Sequence, residues 1–237
     1  MPKQVPPDAE SDDPFGTHLF GNARQIEDDW DDTDFEEEFF KALNKHVTDN
    51  FSSALEKIGQ KLLSVKNTGK YAKYLVPANE PVYRFMSNVT IEKASSIFGM
   101  SVDQIMKAFD QAPDKIVEVN KSFPLSDNQN KVRSWTTNPY GSDMEYFVKP
   151  NMDMLNIVFR VDQPGDNFVL NSKELSDALL NGGTSDARYV GVNLQSEKEV
   201  ISIGPVTVNK AAFYLCDDKF GMHSSRVHQY LADAITP

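Results

Sequence analysis

The sequence has one cysteine, Cys216, and only four histidines, and this scarcity excludes several kinds of site. A single cysteine cannot form an internal disulfide or a multi-cysteine zinc site. The histidines are scattered and match no standard zinc motif, so we expect no bound metal. No apolar run reaches the roughly 18 residues that a membrane-spanning helix needs. The N-terminus also lacks the apolar stretch of a Sec signal peptide.

Basic residues are in deficit, and the deficit is confined to one end of the chain. The sequence has 24 Lys and Arg against 35 Asp and Glu, a net charge of −11. Residues 1–40 hold 13 acidic and 2 basic residues, which leaves 22 of each in the rest. Nucleic acid is therefore not expected as a direct ligand, because phosphate backbones are bound by clustered Lys and Arg.

These counts divide the chain into an acidic leader and a neutral domain. The leader, residues 1–38, is rich in Asp and Pro and cannot bury enough apolar surface to order itself, so we expect it to be disordered. An alternative is that Trp30, Phe35 and the acids around them form a segment that docks on a basic surface. The domain covers residues 39–237.

Apolar spacing predicts helices in the first part of the domain and strands in the second. Three- and four-residue steps predict an amphipathic helix from Phe40 to Leu62. Residues 90–112 are predicted to be helical, with a break at Gly99 and a capping box that starts at Ser101. The predicted extended segments are 82–86, 132–137, 154–161, 168–170, 189–194, 199–203 and 212–215, with helices at 173–180 and 224–234. This order predicts an α+β fold.

Three short patterns place polar residues in apolar surroundings. Arg84 lies in an apolar extended segment, Ser134 and Thr136 flank Trp135, and Glu197 and Glu199 lead into an apolar run. Each pattern has an ordinary explanation. An arginine in a strand usually extends its charge to solvent, hydroxyl residues are common in strands, and Glu-Lys-Glu is a common solvated entry to a strand.

Taken together and in this order, the patterns resemble the signature of the arginine-specific mono-ADP-ribosyltransferases, which is Arg, then Ser-x-Ser/Thr, then Glu-x-Glu. The matching stretches are Leu75-Val76-Pro77 before Val82-Tyr83-Arg84, then Ser134-Trp135-Thr136-Thr137, then Glu197-Lys198-Glu199-Val200-Ile201 followed by Gly204-Pro205. The resemblance covers residues 40–237. It is greatest with small phage-encoded enzymes that modify host proteins, and bacterial effector toxins share the signature.

The resemblance implies a fold and a reaction. The fold would have N-terminal helices followed by two packed, mostly antiparallel sheets with NAD in the cleft between them. The reaction would move ADP-ribose from NAD to an arginine of a target protein and release nicotinamide. Glu199 would stabilise the oxocarbenium-like transition state. Glu197 would bind the acceptor guanidinium, and alternation along a strand would place it on the face of Glu199.

The remaining motif residues would hold NAD. Arg84 would bind the pyrophosphate through its planar guanidinium. Ser134 would hydrogen-bond near the nicotinamide ribose and orient Glu199, and Thr136 would support the strand. Two departures bear on the pocket: Phe85 replaces the glycine that often follows the motif arginine, and the helix that usually follows the hydroxyl element is only weakly indicated.

The implied partner is a target protein with an accessible arginine, a host protein in the phage case. Tyr189 and Arg188, which precede the Glu-x-Glu element, would contact it. We expect a monomer that acts in the cytoplasm of the host or target cell. Delivery with a virion and secretion without a Sec signal stay open as routes. The implied reaction needs no metal, because NAD already carries a cationic leaving group.

Two alternatives stay open. One is a non-catalytic interaction or inhibitor protein on a degenerate transferase-like fold, with the acidic leader as a nucleic-acid mimic or binding arm. The other is an NAD glycohydrolase, in which water is the acceptor. We expect Trp135 and Cys216 to pack in the core. We expect His223 and His228 to be structural or exposed.

Overall fold

The computed structural model describes residues 42, 53–65, 78–112, 115–126, 128–129, 131–141, 148, 151, 153–171, 177, 198–216 and 224–236. The acidic leader, the predicted strand 189–194 and most of the predicted helix 173–180 lie outside these ranges. Within them, no helix is both long and apolar enough to cross a membrane.

The described residues include four helices, and local signals account for their ends. They are α1 (Ser53–Val65), α2 (Ile91–Phe98), α3 (Val102–Gln111) and α4 (Ser224–Ile235). Gly99 ends α2 in the left-handed conformation, with φ 61°. The predicted capping box is confirmed: the Ser101 side chain accepts from the Gln104 N–H at 3.2 Å, and the Gln104 side chain accepts from the Ser101 N–H at 2.7 Å.

Nine strands form two antiparallel sheets in the described residues, so the predicted α+β class is confirmed. The strands are β1 (Val82–Val89), β2 (Ile116–Val119), β3 (Phe123–Ser126), β4 (Val132–Thr136), β5 (Leu155–Val161), β6 (Phe168–Asn171), β7 (Glu199–Ile203), β8 (Val206–Val208) and β9 (Lys210–Leu215). The larger sheet has seven strands in the order β2-β9-β5-β1-β4-β7-β6, and β3 pairs with β8 in the smaller one.

Apolar side chains cover both faces of the large sheet. On one face, Phe98 of α2 stacks on Phe213 of β9 with ring centroids 5.0 Å apart, in a cluster that includes residues of α3, β3 and β8. On the other face, residues of α4 such as Leu231 pack against Tyr214. Burial of both faces explains why nearly all residues of β5 and β7 are buried, instead of every second one.

The predictions about the core residues are confirmed where the structure describes them. Trp135 is 2% exposed and donates through Nε1 to Ser202 Oγ at 2.8 Å. Cys216 is buried. His228 is buried, and its Nε2 lies 2.6 Å from the Pro139 carbonyl oxygen, so it has the structural role that we expected. His223 lies outside the described residues.

The large sheet is nearly divided in its middle. All of β4 pairs with β7, and β1 pairs with β5 over most of its length. Between β1 and β4, however, only Tyr83 and Thr136 are recorded as partners. Four strands, β2-β9-β5-β1, therefore lie on one side of a single bridge and three, β4-β7-β6, on the other. We call the opening beside this bridge, between Arg84 of β1 and the residues of β4 before Thr136, the fork.

Candidate functional site

Side chains take the place of backbone pairing along the open edge of β4. Arg84 Nη1 donates to the Ser134 carbonyl oxygen at 2.6 Å. Two residues earlier, the Val132 N–H donates to Glu56 Oε1 of α1 at 3.3 Å. Alternate residues of a strand direct their backbone groups to the same neighbour, so Val132, Ser134 and Thr136 all face β1. The fork is therefore held by a guanidinium and a carboxylate instead of a ladder.

The candidate catalytic carboxylate lies one strand further along. Glu199 begins β7 and stands directly opposite Thr136 of β4. Both are buried, with Glu199 4% and Thr136 3% exposed. Ser134 lies two residues from Thr136, so all three side chains project from the same face of the sheet. Thr136 Oγ1 also accepts from the Asn138 N–H at 3.0 Å, which fixes the turn after β4.

The candidate NAD-binding arginine projects from the other face. Residues directly opposite in an antiparallel pair share a face, so the Tyr83–Thr136 bridge places Tyr83 with Thr136 and Glu199. Arg84, the next residue of β1, therefore lies on the face of Trp135. The structure thus makes the three motif strands neighbours, in the order β1-β4-β7, while it directs Arg84 and Glu199 to opposite faces.

Arg84 is a cation in a poorly solvated position. Burial, and after it the charge of Arg133, lower its pKa to about 10, while the charge of Glu199 opposes the change. Burial also lowers the pKa of Arg133, in this case against the attraction of Glu56. Glu199 is therefore close enough to Arg84 for an electrostatic attraction across the sheet, although the two side chains do not share a face.

The acceptor-facing residues remain predictions. Glu197, Tyr189 and Arg188 lie outside the described residues. The strand begins at Glu199, and Lys198 before it has a positive φ of 44°. The alternation of side chains along β7 therefore begins at Glu199.

Two residues at the fork were missed at the level of the sequence. Glu56 binds Val132 although 76 positions separate them, and nothing local marks it. Arg133 directly precedes Ser134, and a second arginine beside the hydroxyl element was a visible signal. In the part of the chain that the structure describes, no group of three or more His, Cys, Asp or Glu side chains could hold a metal ion.

Comparisons with known proteins add no relative. No family model matches the chain, and neither the curated proteins nor the solved structures give a significant match. The features that point to a function are therefore the motif residues and the geometry of the fork.

Proposed function

We propose that the protein is a mono-ADP-ribosyltransferase that moves ADP-ribose from NAD to an arginine of a target protein. One observation carries the proposal. The three motif segments, which lie far apart in the chain, form adjacent strands, with Arg84 bonded to Ser134 and Glu199 opposite Thr136. Motif matches that arose by chance would not be expected to fall on three adjacent strands.

In the proposed reaction, the bond between the ribose C1′ and the nicotinamide nitrogen breaks, and its electron pair stays on the nicotinamide. The Glu199 carboxylate stabilises the positive charge that develops at C1′. Its burial strengthens this effect, because electrostatic interactions grow as water is excluded. A guanidinium nitrogen of the acceptor then bonds to C1′ and gives up a proton. Glu197 is the residue proposed to hold that guanidinium.

The other motif residues would hold the dinucleotide. Arg84 would bind a phosphate of NAD with the N–H groups that its bond to Ser134 does not use. The hydroxyl of Ser134 projects from the face of Glu199 and would position the nicotinamide ribose. Because β1 and β4 share one bridge, a ligand at the fork can contact both strands without breaking a ladder.

The test is incubation of the purified protein with labelled NAD and a bacterial lysate, followed by gel separation and mass spectrometry. We expect label on discrete arginines with the wild type and none with Glu199→Gln. The matched control is Glu118→Gln, the same change at an exposed position of β2 that is far from the motif strands in the sheet. Arginine labelling by folded Glu199→Gln at the wild-type rate would contradict the proposal.

One observation favours the non-catalytic alternative. Arg84 and Glu199 project from opposite faces, and Arg84 already binds the Ser134 carbonyl, so both could serve only to hold the fork together. Absence of NAD binding and of nicotinamide release, from protein shown to be folded, would support this alternative. Nicotinamide release without labelled protein would instead identify an NAD glycohydrolase.

A further inference from the structure

A second arginine faces the fork beside Arg84. Arg133 and Trp135 are two residues apart in β4, so their side chains lie on the same face of the sheet. The Tyr83–Thr136 bridge places Arg84 on that face too. Arg84 is thus opposite Trp135 and diagonal to Arg133, a separation that long side chains can span. Two guanidinium groups therefore share one face of the sheet at the place where the ladder is interrupted.

The charge of Arg133 is only partly compensated. Its Nη1 is buried and has no hydrogen-bond partner among the residues that the structure describes. The carboxylate that attracts it, that of Glu56, is bonded to Lys131 Nζ at 2.9 Å and to the Val132 N–H. A buried donor without an acceptor is costly, and most buried polar groups in proteins are paired.

The two arginines also disfavour each other. Burial is the largest cause that lowers the pKa of Arg84, and the positive charge of Arg133 is the second largest. Arg84 binds a neutral carbonyl, which accepts a hydrogen bond without cancelling the charge. Among the residues that the structure describes, neither guanidinium is hydrogen-bonded to a carboxylate, and the buried Arg133 Nη1 has no acceptor. Two neighbouring cations in this environment suit the binding of an anion.

We propose that Arg133 and Arg84 together bind a diphosphate, with Arg133 as a phosphate ligand that the motif does not include. For its natural ligand, NAD, the proposal rests on the proposed function. The diphosphate approaches from the side of Arg133 that remains partly exposed, and the Arg133 guanidinium turns its Nη1 toward a phosphate oxygen. Planar guanidinium groups bind phosphate oxygens in pairs, so two arginines suit two linked phosphates.

The test is calorimetric titration of the full chain with inorganic pyrophosphate at low salt. We expect Arg133→Gln to weaken binding about tenfold or more, as loss of a charge-assisted contact predicts. Lys131→Gln is the matched control. It also removes one positive charge, two residues before Arg133, but the Lys131 side chain is bound to Glu56. Equal weakening by both variants would indicate a general charge effect and overturn the proposal.

A second measurement separates a binding role from a structural one. Without ligand, Arg133→Gln should be at least as stable as the wild type in thermal unfolding, because the change removes a like charge from beside Arg84. Arg133→Lys keeps the charge but not the planar group. Its affinity for pyrophosphate should lie between those of the wild type and Arg133→Gln. Destabilisation or misfolding of Arg133→Gln would show that Arg133 supports the fold and would overturn the proposal.

The two proposals can fail separately. Pyrophosphate binding that depends on Arg133, with no nicotinamide release from NAD, would support the anion site and contradict the transferase proposal. Nicotinamide release with an unchanged KM for NAD in Arg133→Gln would support an enzyme that cleaves NAD and would show that Arg133 is not part of its site.

Discussion

Replacement of Arg84 by methionine should cost little stability while it abolishes ligand binding. The lowering of the Arg84 pKa to about 10 corresponds to about 3 kcal/mol of unfavourable free energy for keeping Arg84 charged at pH 7. The variant escapes that cost but loses a charged hydrogen bond to the Ser134 carbonyl, worth about 1.5–3 kcal/mol. These effects nearly cancel, so we expect Arg84→Met to unfold within about 1 kcal/mol of the wild type.

The measurement is urea denaturation at pH 7, paired with calorimetric titration of NAD into the folded variant. Arg160→Met is the control, since Arg160 lies in β5 and binds Asp162 at 2.6 Å and the Ile235 carbonyl. The control should lose stability and keep NAD binding. If Arg84 and Glu199 formed a buried ion pair, removal of Arg84 would cost about 3–5 kcal/mol. A loss of that size in Arg84→Met would refute the reasoning and make Arg84 a structural partner of Glu199.

Three further changes test the packing that positions the site, each by urea denaturation. Trp135→Phe should lose about 1–3 kcal/mol, because it removes the bond to Ser202, and Ser202→Ala should cost less in that background than alone. Gly59→Ala should destabilise by about 1–3 kcal/mol, since its Cβ would lie 2.8 Å from Ile203 Cγ2, and Ile203→Ala, which removes that methyl group, should cost less in this background than alone. Burial raises the pKa of Glu56, but its hydrogen bonds outweigh this and lower the pKa below 4.5. The stability from this carboxylate is thus present above pH 4.5 and lost as the pH falls through the lowered pKa, and Glu56→Gln should remove that part of the pH dependence. Full stability of Gly59→Ala, a Trp135→Phe effect that adds to that of Ser202→Ala, or an unchanged acid profile in Glu56→Gln would contradict the respective argument.

The sequence was most informative where one short segment contains the whole physical cause. The capping box at Ser101 and the stop at Gly99 are local, and both were predicted. β5 and β7 could be predicted because each is rich in Val and Ile, β-branched residues that strands favour. The strands β2, β3 and β8, with three or four residues each, were missed, since so short a run shows no period.

The arrangement of the candidate site could be predicted only in part. The motif named Arg84, Ser134 and Glu199, and these residues do lie on adjacent strands. Their faces depend on the register of β1 against β4, which a single bridge sets and no local pattern reveals. The same holds for Glu56, whose contact with β4 depends on how α1 packs against the sheet.

The narrow join between β1 and β4 limits how the chain can be cut. The strands of the two sides alternate along the sequence, since β1, β2, β5 and β9 belong to one and β4, β6 and β7 to the other. Neither side is a contiguous fragment that could be expressed alone, so the join is not a domain boundary although it has few hydrogen bonds. Amide hydrogen exchange should reveal the side-chain bonding at this join. Because the Val132 N–H donates to the Glu56 side chain, it should lose protection when α1 loosens and not only when the sheet unfolds.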